Sequence, residues 1–160
     1  MIKKKNLRYH IQSNILASKI PKKLEKSAYG FDMSNGIFVG LPASNMKGRW
    51  IQLTILPSNT PDAVVPVGDI GPWNGGGWNN KYDDPYWRKK KRPQAESGKD
   101  LKGSNTDKSG IQISNKLWNL LKLDKRKRVY VDWHFVASPK DKKALIVRDG
   151  KREKHIPEKS

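Results

Sequence analysis

Alternation with a period of two dominates the middle of the chain. Trp50-Ile51-Gln52-Leu53-Thr54-Ile55-Leu56 sets Ile51, Leu53 and Ile55 against polar Gln52 and Thr54. Val129-Tyr130-Val131-Asp132-Trp133-His134-Phe135 puts Val129, Val131, Trp133 and Phe135 on one face. Both patterns predict strands with one side in a core. Ile37–Leu41, Val64–Val67 and Ile111–Ile113 are short apolar runs bounded by Gly, Pro or Ser, and they predict three more strands. Ser114 stands where its side chain can accept from the first free amides of a helix over Asn115–Leu121, with Leu117, Trp118 and Leu121 on its packing face. At the amino end Ile11, Ile15, Leu16 and Ile20 recur at near-helical spacing, which predicts either an amphipathic helix or a frayed arm, stopped by Pro21. Short strands, one helix and Gly/Pro turns point to a small closed barrel rather than a parallel layered fold.

Residues 1–26 hold Lys and Arg almost without acids, Glu25 excepted, and read as a basic N-terminal arm. Residues 27–136 hold the strand pattern, and 137–160 read as a charged tail with one further apolar stretch, Ala144–Val147, fit for an extra strand. Between Asn74 and Ser109 runs a long segment without periodicity but rich in Gly, Asn, Lys and aromatics, a composition that favours functional surface loops. The net charge of +18 favours polyanionic partners: nucleic acid bound without sequence preference, anionic wall polymers or acidic membrane surfaces. With no cysteine, disulfides and thiolate-held metals are excluded, and His10, His134 and His155 share no ligand spacing, so neither a metal nor a cofactor is expected. Met1–Asn14 lacks the apolar run of about 7–15 residues that a secretory signal needs. No run approaches the roughly 20 apolar residues of a membrane span. The location stays open between the cytoplasm and delivery outside by lysis or by a virion or injection device.

Two segments carry candidate chemistry. Val65-Pro66-Val67-Gly68-Asp69-Ile70-Gly71-Pro72-Trp73-Asn74 ends an apolar strand on an acid just where the chain must break, so Asp69 is expected at a strand mouth. Gly110-Ile111-Gln112-Ile113-Ser114 places Gln112 in the middle of a short strand expected to face the same mouth. With Asp84-Pro85-Tyr86-Trp87, Arg92-Pro93-Gln94-Ala95-Glu96-Ser97-Gly98 and Val131-Asp132-Trp133-His134-Phe135-Val136, these segments form an ordered series. Over roughly residues 27–136 that series resembles the double-psi β-barrel domains of the rare lipoprotein A and expansin type.

The resemblance implies a mainly β fold, a six-stranded double-psi β-barrel with one short helix and long surface loops. It also implies a groove that binds cell-wall polysaccharide, peptidoglycan in the bacterial relatives, where a lytic transglycosylase reaction cleaves it. The family's Thr-x-Tyr is matched by Ser27-Ala28-Tyr29 and its Asp-x-Gly-Pro acid by Asp69. Its other acid, in Gly-x-Asp-(Leu/Ile)-Ser, is replaced by Gln112, and a histidine that some members carry has no counterpart near Val39-Gly40-Leu41-Pro42.

A glycosidic bond breaks when its leaving oxygen is protonated, a task for a carboxyl of raised pKa. An amide has no such proton to give. Asp69 is the remaining candidate catalytic residue, and the excess of cations is expected to favour its ionised form, so weak or absent catalysis is expected. Ser27, Tyr29, Asp69, Trp73, Asn74, Tyr86, Trp87 and Gln112 are the candidate sugar-binding residues, the aromatic faces offering stacking area. Arg88, Lys89, Lys90, Lys91 and Arg92 form a candidate polyanion-binding run that reads equally as a solvated loop tip. Trp50, Trp118 and Trp133 fit the core. Beside the wall-glycan reading stand a structural component, such as a virion or injection-apparatus protein, and a basic nucleic-acid binder on the same scaffold.

Overall fold

The computed structural model describes residues 11–21, 25–42, 46–71, 108–148 and 153–155. The chain forms β1 (Gln12–Lys19), β2 (Val39–Leu41), β3 (Trp50–Ile55), β4 (Ala63–Ile70), β5 (Ile111–Ile113), helix α1 (Asn115–Leu120), β6 (Arg128–Val136), β7 (Leu145–Arg148) and β8 (Glu153–His155). The sheet order is β2-β5-β1-β6-β3-β4, and a further pairing of β2 with β4 closes it into a six-stranded barrel. β7 pairs with β4 outside the ring, at the expected Ala144–Val147 stretch, and β8 pairs with β7.

Two pairings in the ring are parallel, β1 with β5 and β2 with β4; the others are antiparallel. Exchanging β1-β2-β3 with β4-β5-β6 maps every pairing onto itself or onto another of the same sense. The chain is thus two topologically equivalent halves, each lending a strand to the other, and this interlocking is the double-psi arrangement of a mainly β fold. Ring closure leaves no open edge among the six strands.

Inward positions alternate with outward ones as the pattern predicts. In β6, Val129, Val131, Trp133 and Phe135 are buried. They meet Ile51 and Leu53 of β3, Val65 and Val67 of β4, and Ile111 and Ile113 of β5 in one core. Trp50, Trp118 and Trp133 are buried as expected. Ser114 caps α1, its Oγ accepting from Leu117 N at 3.3 Å and donating to Gly36 O at 2.8 Å, which ties the helix to the approach to β2.

The amino end departs from the expectation of a helix or an arm over residues 1–26. Gln12–Lys19 is β1, inserted between β5 and β6 with Ile15 and Ala17 fully buried. A register shift between Gln12 and Ile15, with Asn14 at φ 54°, interrupts the alternation. Asn tolerates that left-handed conformation, and Asp132 Oδ1 accepts from Asn14 N at 2.8 Å to fix it. The bulge converts a period of two into apolar spacings near four, which is why the segment mimics a helix. Among the described residues no helix is long and apolar enough to cross a membrane.

Candidate functional site

Asp69 sits one residue from the end of β4, and simple alternation with buried Val65 and Val67 would aim it into the barrel. It does not point there. Along β2 the register steps from Val39↔Val67 to Gly40↔Asp69, so two residues of β4 are spent against one of β2. This bulge at Gly68 turns Asp69 to the outer surface, a use to which bulges are often put. Gly68 is required: a Cβ there would lie 2.7 Å from Cβ and Cγ of Phe38. Phe38 is fully buried in a second cluster with Ile20 and Met33, and Phe31 packs on it at 5.1 Å between ring centroids.

On its other edge β2 pairs with β5, Gly40 opposite Gln112, and β5 pairs with β1, Gln112 opposite Ser18. Residues directly opposite share a face, so Asp69, Gly40, Gln112 and Ser18 form one row across four strands. Their neighbours Val39, Leu41, Ile111, Ile113 and Ala17 point into the core, which puts the row outside. Two strand spacings separate Asp69 from Gln112, about 10 Å at the backbone. Between them Gly40 contributes no side chain. The expectation that the two segments converge is met, but on the outer wall rather than in the mouth.

Asp69 is half-buried. Its Oδ1 accepts from Ala28 N at 2.8 Å, and the Ile70 amide donates to the carboxyl as well. Burial pushes the carboxyl above its usual range, and these two amides oppose the shift. The sequence expectation that surplus cations hold Asp69 ionised gives way here to desolvation.

The Ser27–Tyr29 segment meets this site as a brace. Ser27 Oγ donates to Gly68 O and accepts from Phe31 N at 2.9 Å, so the hydroxyl's one proton is used inside the protein. Tyr29 N donates to Gly68 O at 3.4 Å, while Met46 N donates to Tyr29 Oη at 3.3 Å. Both residues hold the bulge that presents Asp69. Ser27 thereby braces the bulge that presents Asp69. Gln112 is half-buried, with both donor and acceptor capacity on its amide.

Trp73, Asn74, Tyr86, Trp87 and the run Arg88, Lys89, Lys90, Lys91, Arg92 lie outside the described residues. Among the described residues no group of three or more His, Asp or Glu could hold a metal ion. Sequence reasoning missed Gly40 and Gly68 as parts of the site; a glycine directly before an acid at a strand end is the signal that could have found the latter.

No protein-family profile matches the sequence, and no curated protein matches it. Among solved structures the chain is similar to the Streptomyces papain inhibitor (SPI), at 16% identity and a TM-score of 0.46, covering 79% of this chain and 94% of that one. So distant a likeness carries nothing about activity.

Proposed function

We propose that the outer row Asp69–Gly40–Gln112 binds a cell-wall polysaccharide of the peptidoglycan type, and that the barrel is a binding rather than a cleaving relative of the rare lipoprotein A and expansin group. The observation that supports this reading is the register: β2 carries Asp69 on one edge and Gln112 on the other, with side-chain-free Gly40 between. A carboxyl and an amide about 10 Å apart, two strand spacings, can contact opposite edges of a sugar unit. Asp69 takes a hydroxyl hydrogen bond, and the Gln112 amide pairs with an amide such as an acetamido group. Double-carboxylate hydrolysis has no second acid in this row.

Co-sedimentation with purified sacculi tests the reading. It should be run in about 1 M salt, where a screening length of about 3 Å removes bulk charge attraction. The wild-type chain is expected to pellet without releasing soluble muropeptides. Asp69→Ala and Gln112→Ala should each weaken binding about tenfold, the scale of one lost hydrogen bond to a charged or amide group. Binding that vanishes in salt, or survives unchanged in the double variant, overturns the reading.

A further inference from the structure

The end of the barrel remote from Asp69 carries a cleft of about 540 Å³ between the β3–β4 connection, the exit of α1 and β7. That volume falls in the range of small-molecule sites, about 300–1,000 Å³. β4 alone separates the two places by seven residue steps, about 23 Å of extended chain. Ile55, Leu121 and Val147, each half-buried, supply apolar wall that the barrel core leaves partly uncovered.

Lys122 and Arg126 stand on one side of the cleft, both exposed. Among the described residues neither cation has a carboxylate or side-chain hydrogen-bond partner. Nor are they consumed by the helix end, because the amides of Leu121, Lys122 and Leu123 already donate to the carbonyls of Leu117, Asn119 and Trp118. The acid in the lining is committed to structure: Asp62 Oδ2 accepts from Ile55 N at 2.7 Å, and its backbone bonds Leu53 and Val147. The cleft therefore combines an apolar wall with two exposed cations that no acid among the described residues pairs.

We infer that this cleft is a second binding site, for a small amphipathic carboxylate: an aliphatic or aromatic body lying on Ile55, Leu121 and Val147, its carboxylate paired with Lys122 and Arg126. Guanidinium pairing with a carboxylate is the stronger of the two contacts, being forked and charge-assisted. The site is independent of the glycan reading, since it shares no residue with the Asp69 row.

Titration of the full chain with hexanoate, followed by amide chemical shifts, tests it, with 1-hexanol as the uncharged probe of the same body. Hexanoate is expected to give saturable shifts concentrated at Ile55, Leu121, Leu123 and Val147. The Lys122→Gln/Arg126→Gln double variant, altered only at exposed side chains, should bind hexanoate at least about tenfold more weakly while keeping the wild-type spectrum elsewhere. Three results overturn the inference: shifts scattered over the basic surface, equal binding of hexanol and hexanoate, or undiminished binding by the double variant.

Discussion

Asp69 is the residue on which two physical effects contend. Removing its carboxyl from water favours the protonated form, and the amides of Ala28 and Ile70 favour the ionised one; burial is the larger. A carboxyl whose folded pKa lies above its unfolded value contributes most to stability below the unfolded value, about 3.9 for Asp. That contribution is lost as pH rises through the raised folded value. Asn at this position can still accept from Ala28 N but carries no charge to desolvate. Thermal melts of Asp69→Asn should therefore coincide with wild type below about pH 3.9, to the extent that the amide reproduces the carboxyl's bonds. They should lie at or above wild type at neutral pH, the gap opening across the interval between the two pKa values. A wild-type advantage that instead grows with pH would mean that the ionised carboxylate is stabilised by its surroundings. The same raised pKa would keep a proton on Asp69 to higher pH than usual, so any residual acid chemistry should strengthen on acidification.

At the scale of single elements, the site depends on one extra residue in β4. Gly68 absorbs the bulge because nothing larger fits against Phe38. Gly68→Ala should cost about 1–3 kcal/mol, the scale of overpacking in a well-filled core, read as a lower urea midpoint with an unchanged slope. Pairing the substitution with Phe38→Ala, which removes Cγ and Cδ2 and leaves only Cβ, should cost less than the sum of the two single substitutions if the clash is the cause. Both bulges show why the sequence is only partly legible. β3 and β6 keep strict alternation and can be read outright, and Ser114 announces α1 because capping chemistry is local. β1 carries its shift at Asn14 and so presents apolar spacings that no longer resemble a strand. In β4 the apolar run is visible and the presence of Asp69 at its end is visible, but the side to which Asp69 turns is decided by a register against β2, some thirty residues earlier in the chain. Gly40 is silent for a related reason: a missing side chain acquires meaning only when the residues on both sides of it are known.

For the whole molecule, the ring admits no optional strand. Among the described strands β1 stands between β5 and β6 in the closed order, and it buries Ile15 and Ala17 completely. Its parallel pairing with β5 also fixes the strand that carries Gln112, so the Asp69–Gln112 row and the closure of the barrel share a support. An N-terminal arm could be cut away at little cost, whereas a ring strand cannot. A chain beginning at Ile20 should lose its cooperative unfolding transition and expose the apolar faces of β5 and β6, read by calorimetry and by binding of a hydrophobic dye. Addition of a peptide spanning residues 10–20 in trans should recover the transition, because the missing strand enters an existing slot between two neighbours rather than starting a new sheet. A truncated chain that melts cooperatively on its own, at a temperature near that of the intact protein, would show that β5 and β6 can close the barrel directly. The Asp69–Gln112 row would then owe nothing to β1, and its geometry would have to be rebuilt from β2 alone.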